Sequence, residues 1–375
     1  MNRAGQYVTV LYGEAAYKAY RPNPLPPVPE LATDGELAGL LAAAHRELGK
    51  LDATSALIPD IDLFLGAYVR KEALLSSQIE GTQATIEDVL DADAPDTADL
   101  DVCDVINYVR ALNLAIEEMK TVPLCSRLLC DTHRELMRGV RGGDKCPGEF
   151  RRSQNWIGAA GSTIRTARYI PPAVEDMTVA MSDLEKFINL SDMDGLLKTA
   201  LAHYQFETIH PFLDGNGRIG RMLITLMLMN ERLLTRPVLY LSLFLKTNRV
   251  EYYDRLSEVR VKGNYEQWVE FFLSGVAETC ADCTDAVLKM NALLTDDAKK
   301  IEGEAPSVKK VFAYIKSHPI VSIGGTAKAA GLSFNAVSAA VNKLCSLGIM
   351  RERTTSARNR AFEYTAYLDI LRLGT

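Results

Sequence analysis

Residues 210–221 read HPFLDGNGRIGR and join two segments whose apolar residues recur at helical spacing. Gly215 and Gly217 flank Asn216 immediately before the second segment. Glycines let consecutive backbone N–H groups turn toward an anion, and the N-terminus of a helix adds partial positive charge. The sequence therefore predicts a phosphate-binding cradle at the start of the second helix.

The charged residues of this stretch suit the transfer of a phosphate-containing group. Arg218 and Arg221 lie three positions apart, on one face of the first helical turn, and add positive charge for a polyphosphate. Asp214 is placed to hold Mg²⁺ together with phosphate oxygens, and His210 is suited to take a proton from a hydroxyl nucleophile. The sequence has no GKS or GKT, which argues against a P-loop ATPase.

The stretch resembles the signature of the Fic family, His-Pro-Phe-x-Asp/Glu-Gly-Asn-Gly-Arg-x-x-Arg, at every defined position. Members of that family are mostly adenylyltransferases, which move AMP from ATP to a Ser, Thr or Tyr hydroxyl of a protein and release pyrophosphate. The resemblance implies that His210 is the catalytic base and that Asp214 holds Mg²⁺. It also implies that residues 215–217 bind the α- and β-phosphates, that Arg218 assists them, and that Arg221 grips the γ-phosphate.

The resemblance implies a larger set of ATP contacts, which extends beyond the signature on both sides. Gln205 lies five residues before the histidine and Tyr252 lies in a later helix, and for these two a packing role stays equally open. The implied ATP contacts are Glu80, Gln205, His210, Pro211, Phe212, Leu213, Asp214, Gly215, Asn216, Gly217, Arg218, Arg221 and Tyr252.

A second motif lies upstream and reads SSQIEG over residues 76–81. Ser76 and Glu80 are four positions apart and share one face of a helix that is predicted to end at Gly81. The motif resembles the inhibitory motif of the Fic family, Ser/Thr-x-x-x-Glu-Gly/Asn, in the group whose inhibitory helix precedes the catalytic core. The resemblance implies that Glu80 pairs with Arg221 and keeps the γ-phosphate away. Without it, an ordinary helix end on the surface would explain the motif.

The remaining pattern predicts a mainly α-helical protein. Apolar residues recur at helical spacing in several segments before residue 300. These segments are 37–48, 61–79, 102–119, 124–137, 173–190, 195–208, 217–233, 247–260 and 264–300. The proline cluster at 21–30 is expected to be extended on the surface, and 94–101 is expected to form an acidic connector.

The segment 142–172 departs from the helical pattern, because it contains two β-capable stretches at 153–157 and 167–170. Glycines lie between them and a pair of prolines follows the second, so the sequence predicts a hairpin over about 153–170. The hairpin resembles the flap of the Fic family. This implies that a protein target, whose identity the sequence does not give, adds its backbone there as an extra strand.

Residues 306–375 form a basic segment on an acidic chain. They hold ten Lys/Arg and three Asp/Glu, a net charge of +7, while the rest of the chain carries 32 basic and 45 acidic residues, a net charge of −13. Three helical patterns at 308–317, 326–330 and 334–347, followed by a β-capable stretch, predict a winged helix-turn-helix domain. Its expected contact residues are Ser333, Asn335, Ser338, Asn342 and Lys343 of the recognition helix and Arg351, Arg353, Arg358 and Arg360 of the wing. The partner stays open between DNA, another protein and none.

The predicted layout has three parts: an N-terminal helical region at 1–100, a Fic-type catalytic core at 101–300, and the winged-helix domain at 306–375. A globular chain is expected, since 47% of the 375 residues are hydrophobic and 24% are charged. No apolar run approaches the roughly 20 residues that span a bilayer, and the N-terminus shows no signal-peptide pattern. The expected location is therefore the cytoplasm, without a membrane partner.

Seven cysteines are scattered along the chain, an odd number that does not fit a secreted disulfide framework. Cys280 and Cys283 form one CxxC without a second pair of ligands at suitable spacing. The pattern favours reduced thiols over a zinc or redox site.

These patterns together predict an Mg-ATP-dependent protein adenylyltransferase that is restrained by its own Glu80. Two alternatives stay open: a Fic-type transferase with another nucleotide or phosphate-containing donor, and a DNA-binding regulator with a residual catalytic core. The intact set of His210, Asp214 and Arg221 argues against the regulator. Self-modification and a homodimer are expected without a motif that specifies either.

Overall fold

The structure is a computed structural model, and it describes residues 2–11, 13–56, 61–91, 99–159, 161–353 and 360–372. The described part is mainly helical, so the predicted fold class is confirmed. The helices are α1 (Gly35–Ala56), α2 (Ile61–Ile79), α3 (Ile86–Leu90), α4 (Leu100–Glu118), α5 (Ser126–Leu136), α6 (Val174–Leu190), α7 (Gly195–Ile209), α8 (Asn216–Asn230), α9 (Ser242–Thr247), α10 (Arg249–Lys262), α11 (Tyr265–Lys300), α12 (Pro306–Ile315), α13 (Ile323–Ala330), α14 (Phe334–Ser346) and α15 (Thr365–Arg372). The strands are β1 (Gly5–Val10), β2 (Tyr17–Pro22), β3 (Ile320–Ser322), β4 (Arg351–Glu352) and β5 (Ala361–Glu363).

Each predicted helical segment overlaps a helix of the structure, whereas α3, α9 and α15 were not predicted. These three helices have five, six and eight residues. A helix that short completes too few turns for apolar residues to recur at a recognisable spacing. The acidic connector predicted at 94–101 lies mostly outside the described residues, and α4 begins near its end, with Asp99 as the N-cap.

Helices α7 and α8 form the centre of the core. Every residue of α7 from Leu196 to Ile209 is buried, because α6, α8 and α11 pack around it. The side chain of Asp194 caps its first turn by accepting hydrogen bonds from two backbone N–H groups. Helix α8 is also buried over most of its length. The turn between them, residues 210–215, is therefore anchored at both ends by rigid, fully packed helices.

An N-terminal hairpin, which the sequence analysis did not predict, lies beside the flap segment. Strands β1 and β2 are antiparallel, with Gly5 opposite Pro22 and Val10 opposite Tyr17. The backbone N–H of Tyr20 donates to the carbonyl of Ile170 at 3.0 Å, which joins β2 to the end of the flap. The proline cluster begins within β2, and its remaining residues, 23–30, form no helix or strand.

The predicted flap hairpin is correct in place but much shorter than expected. It consists of one antiparallel bridge between Ile157 and Tyr169, with N–H to O distances of 2.8 and 3.0 Å between the donor and acceptor heavy atoms. The residues before Ile157 do not pair, because their side chains bind the main chain instead. Gln154 donates to the carbonyls of Asn155 and Pro171, and Asn155 donates to the carbonyl of Phe212. Local side-chain bonds of this kind compete with a strand ladder.

The C-terminal unit contains α12–α14 and a three-stranded antiparallel sheet in the order β3-β5-β4. These elements lie where the sequence predicts a winged helix, and that assignment stays a prediction. The unit is attached to the helical body through α15, which packs against α11 and α2. Arg372 of α15 pairs with Glu87 of α3 at 2.8 Å, and the Tyr364 hydroxyl donates to buried Asp297 of α11 at 2.5 Å.

Several basic residues of this unit already have carboxylate partners. Lys343 pairs with Glu304 at 3.0 Å, Arg351 pairs with Glu363 at 2.8 Å, and Arg360 pairs with Glu352. The positive charge that the sequence assigns to this surface is therefore partly neutralised. Arg358 lies outside the described residues.

The thiols of Cys280 and Cys283 are both buried in α11. The Tyr68 hydroxyl donates to Cys283 Sγ at 3.1 Å, and burial raises the pKa of the Cys283 thiol to about 11. Within the described ranges, no helix is long and apolar enough to cross a bilayer.

Candidate active site

His210 ends α7 in a left-handed backbone conformation, with φ of 50°. This conformation is uncommon for a residue with a Cβ and persists only where surrounding contacts enforce it. Here two side chains bind the His210 carbonyl: Arg151 Nε donates at 3.0 Å and Asn155 Nδ2 at 3.2 Å. The turn thus points the imidazole away from the helix axis and into the site.

The imidazole of His210 is suited to accept a proton. Its Nδ1 is buried and has no hydrogen-bond partner in the structure. The pKa of His210 is lowered to about 4, chiefly by burial; the Glu80 carboxylate opposes this shift and the Arg151 cation contributes to it. The ring is therefore neutral at pH 7.

Arg151 is a buried cation that binds main-chain oxygens. Its Nη2 donates to the Pro172 carbonyl at 2.6 Å, in addition to the bond from Nε to His210, and its own N–H donates to the Pro211 carbonyl at 2.9 Å. Burial lowers its pKa to about 10. Arg151 therefore ties the end of the flap to both residues that open the turn.

Asn216 locks the turn by spanning it. Its Oδ1 accepts from the Phe212 N–H and its Nδ2 donates to the Phe212 carbonyl, both at 2.8 Å. The buried Phe212 ring stacks under His133, with ring centroids 3.8 Å apart. The side chains of Asn216 and Phe212 are thus occupied within the protein, which leaves the backbone of the turn to face a ligand.

Gly217, in the first turn of α8, lies against the Glu80 carboxylate. A Cβ at this position would lie 2.2 Å from Glu80 Oε1 and 3.0 Å from Arg221 Nη1. The carboxylate of Glu80 therefore occupies the position at the helix N-terminus where the sequence predicts a phosphate.

Arg221 is buried, and it donates three hydrogen bonds to Ser76 and Glu80. Its Nε donates to Ser76 Oγ at 2.8 Å, while Nη2 donates to the Ser76 carbonyl at 2.9 Å and to Glu80 Oε1 at 2.7 Å. Burial alone would raise the pKa of Glu80, but the adjacent guanidinium holds it below its usual value. Glu80 is therefore ionised and paired, although 40% of its side chain is exposed.

Two further carboxyl groups lie near the Arg221 cation, and neither was predicted. Glu72 binds Ser242, and burial raises its pKa to about 8. Glu207 packs on Gly220 with its Oε1 lacking a hydrogen-bond partner, and burial raises its pKa to about 7. Of the three carboxyls, Glu80 is the one that is fully ionised at neutral pH.

The Arg218 side chain lies in the core, where it binds α4. Its Nη1 donates to Asp104 Oδ1 of α4 at 2.9 Å, and both side chains are almost completely buried. Burial raises the pKa of Asp104 despite this pairing. The Arg218 charge still lowers the pKa of Glu80 and of Asp214, and the phosphate contact that the resemblance implies for it stays a prediction.

The Asp214 side chain is partly exposed, and both of its carboxylate oxygens have partners within the protein. Its Oδ1 accepts from the Gly215 N–H at 2.8 Å, and its Oδ2 accepts from Lys145 Nζ at 2.7 Å. Within the described residues no group of three or more His, Cys, Asp or Glu side chains can hold a metal ion. A single accessible carboxylate fits Mg²⁺ that is held jointly with substrate phosphates and water.

His133 supports the same turn from α5, although the sequence analysis gave it no role. Its Nδ1 accepts from the Gly148 N–H at 2.8 Å, so the proton lies on Nε2, which donates to the Asp214 carbonyl at 3.0 Å. Burial lowers the pKa of His133 to about 4. The ring therefore stays neutral and links two segments of the site.

Two protein-family models match the chain along this region. The model described as Fic/DOC family N-terminal matches residues 38–117, and the model described as Fic/DOC family matches residues 123–228. The chain carries the Fic/DOC N-terminal and Fic/DOC domains. The second match contains the whole turn from His210 to Arg221, and the first contains residues 76–81.

Curated relatives support the assignment over part of the chain. A protein named Protein adenylyltransferase Fic from Culex quinquefasciatus is 34% identical over 172 residues, which are 45% of this chain and 29% of that protein. A protein of the same name from Drosophila erecta is 29% identical over 199 residues, 51% of this chain and 35% of that protein. The match thus spans about a third of the length of these relatives.

Solved structures show the same fold at low sequence identity. A Fic family protein from Desulfovibrio desulfuricans aligns with a TM-score of 0.56 and 20% identity, covering 87% of this chain and 95% of that one. A Fic domain containing signaling protein from Bacteroides thetaiotaomicron aligns with a TM-score of 0.51 and 18% identity, covering 68% of this chain and 97% of that one.

Two of the implied ATP contacts lie in the core and not at the predicted phosphate-binding cradle at the start of α8. The Tyr252 side chain has no exposed surface, and its hydroxyl bonds to His203 Nε2 at 2.9 Å. Gln205 is buried and donates to the Asn23 carbonyl at 2.9 Å. Both side chains are thus bonded within the protein, which favours the packing role, and their contact with ATP stays a prediction.

The Tyr252→Phe variant tests this placement. We expect it to lower the free energy of unfolding by about 1–3 kcal/mol, because the buried Nε2 of His203 loses its partner. The affinity for ATP should stay at the wild-type value. Chemical denaturation at pH 7 and calorimetric titration with ATP would measure the two quantities. The matched control is Tyr253→Phe, a partly exposed neighbour, and a loss of ATP affinity in Tyr252→Phe alone would contradict the packing role.

Proposed function

We propose that this Fic/DOC protein is a protein adenylyltransferase that transfers AMP from Mg-ATP to a Ser, Thr or Tyr hydroxyl and releases pyrophosphate. One observation carries the proposal: neutral His210 lies on the same turn as a helix N-terminus where Gly217 and Arg221 receive a carboxylate. A base and an anion site for a triphosphate are thus combined within one short segment. The names of the Culex and Drosophila relatives support the same activity.

His210, Asp214, Arg221 and the start of α8 each have a role in the proposed transfer of AMP. The imidazole of His210 takes the proton from the target hydroxyl as the oxygen forms a bond to the α-phosphorus. The bond from that phosphorus to the bridging oxygen breaks, and pyrophosphate leaves with the electron pair. The backbone N–H groups at the start of α8 and the Arg221 guanidinium offset the negative charge of the phosphates. Mg²⁺ bound at Asp214 would supply further charge neutralisation for the phosphate oxygens.

The proposal includes restraint by Glu80. The salt bridge from Arg221 Nη2 to Glu80 Oε1, at 2.7 Å, uses the guanidinium that the γ-phosphate needs. The same carboxylate also lies against Gly217 and repels a phosphate by its charge. ATP therefore seats productively only when Glu80 moves away.

Adenylylation is tested with ATP labelled at either the α- or the γ-phosphate. Purified protein is incubated with Mg²⁺ and a cell lysate as a source of targets, and protein-bound label is measured. Label from the α-position alone is the expected result. Label from the γ-position would mean phosphorylation and would contradict the proposal, and no label from either position would favour another donor.

Arg151 is a positioning residue in this mechanism, and two variants test its role. We expect Arg151→Lys and Arg151→Met both to lower kcat about tenfold, equivalent to about 1.4 kcal/mol, because each loses bonds that hold the turn at His210. The acid limb of the pH–rate profile should move to higher pH only in Arg151→Met, since the positive charge lowers the pKa of His210. A wild-type kcat in Arg151→Lys would show that the charge alone matters.

Partners beyond ATP are part of the proposal at a coarser level. The target is a protein whose backbone pairs along the flap near Ile157, where one strand edge is available. A DNA or protein partner for the C-terminal unit, a homodimer and a cytoplasmic location remain expectations from the sequence.

A further inference from the structure

The loop between α5 and the flap covers the outer face of Asp214. A turn brings the Lys145 N–H to the Gly142 carbonyl at 2.9 Å. Gly142 has φ of 80°, and a Cβ there would lie 2.6 Å from Asp214 Oδ2. Only a glycine allows this close approach of the loop backbone to the carboxylate. The segment 142–145 is therefore fitted to Asp214 Oδ2.

The cation at this oxygen is supplied by Lys145. Its Nζ lies 2.7 Å from Asp214 Oδ2, while Oδ1 is taken by the Gly215 N–H. A metal ion can therefore reach Oδ2 by displacing a side chain, whereas Oδ1 is bound by the backbone. The lysine ammonium and a hydrated Mg²⁺ are both cations that bind a carboxylate oxygen, so they compete for Oδ2.

The exposure of this pair differs from that of the other two ion pairs of the site. The Lys145 side chain is 47% exposed and Asp214 is 39% exposed, whereas Arg218 and Arg221 are nearly buried. Exposed pairs contribute little to stability and exchange readily. Lys145 also has a flexible four-carbon stem, so it can leave without moving the backbone of the loop.

We propose that Lys145 is an exchangeable counter-ion that holds Asp214 in the metal-free protein and is displaced when Mg²⁺ enters with the nucleotide. This inference rests on the proposed function. Lys145 thereby lowers the affinity of the site for the metal and keeps the Asp214 carboxylate from repelling the phosphates before the metal arrives.

The test measures metal binding without turnover. The full chain is saturated with an ATP analogue that carries a methylene group between the α- and β-phosphorus atoms, and Mn²⁺ is titrated while the free ion is followed by electron paramagnetic resonance. The variants are Lys145→Met, which keeps the unbranched shape and most of the length of the side chain, and Lys145→Arg, which keeps the charge. Lys186→Met, which removes a similar exposed pair with Asp183 on α6, is the matched control.

We expect Lys145→Met to bind Mn²⁺ about two- to fivefold more tightly than the wild type, the range that corresponds to loss of one exposed ion pair. Lys145→Arg and Lys186→Met should match the wild type, and Asp214→Asn should bind Mn²⁺ more weakly. Equal or weaker Mn²⁺ binding in Lys145→Met, with the analogue still bound, would overturn this inference alone. Failure of the analogue to bind any of these proteins would contradict the proposed function and the inference with it.

Discussion

Replacing Glu80 with glycine is expected to raise the rate of AMP transfer about 5- to 150-fold, the range that corresponds to the typical ~1–3 kcal/mol by which a regulatory contact is coupled to a binding site. The variant removes the carboxylate that pairs with Arg221 and lies against Gly217. Glu80 follows the last residue of α2 and is not part of the helix interior, so the substitution does not place a glycine within a helix. The fold should therefore stay intact.

Arg221 should keep its position in this variant for two reasons. Ser76 still accepts two hydrogen bonds from the guanidinium. The charge of Glu80 also raises the pKa of Glu207, so its removal lets Glu207 ionise and balance the buried cation. Glu80→Gln is the matched variant, because it keeps the volume and removes the charge. The transfer of α-label is the measurement, and unchanged transfer in both variants would contradict restraint by Glu80.

Replacing His210 with alanine is expected to lower the rate of transfer by about 10²–10⁴-fold, the usual contribution of a general base. The measurement is best made in the Glu80→Gly background, where the starting rate is highest. His133→Ala is a useful comparison, because His133 supports the same turn by a bond to the Asp214 carbonyl and is not the proposed base. An equal rate in the presence and absence of the His210 imidazole would exclude it as the base.

The pH dependence of the same reaction follows from the pKa of His210, which burial lowers to about 4. The ring must be neutral to accept a proton, so the rate should be constant above about pH 5 and fall as the pH drops through about 4. Because Glu80 raises the pKa of His210, the acid limb of Glu80→Gly should lie lower still. An acid limb near 6.5 would show that the base is an ordinary exposed histidine.

The sequence predicts the parts of this protein whose information is local. The signature at 210–221 is contiguous, and the resemblance correctly led to the Fic/DOC family and to a helical fold. The pair between Glu80 and Arg221 joins residues 141 positions apart, and it was expected only because two motifs of one family were present together. Apolar spacing placed the long helices correctly, since each has several turns.

The sequence does not predict the side chains that brace the site from a distance. Asp104 binds Arg218 across 114 positions, and Lys145 binds Asp214 across 69, without any spacing that would indicate either contact. Arg151 lies in a stretch that reads only as the approach to a hairpin. The flap was predicted too long because strand propensity takes no account of Asn155, whose amide binds the main chain of the turn instead.

Helix α15 packs against α2 and binds α3, so it joins the C-terminal unit to the helix that contains Ser76 and precedes Glu80. Glu80 directly follows α2, and Arg372 binds α3 through Glu87, so both places are joined to α15. Thermodynamic linkage requires reciprocity: if a partner of the C-terminal unit raises the affinity for ATP by favouring the departure of Glu80 from Arg221, ATP must raise the affinity for that partner by the same factor. The affinity of such a partner, measured with and without nucleotide, reports the position of Glu80 without any measurement of catalysis.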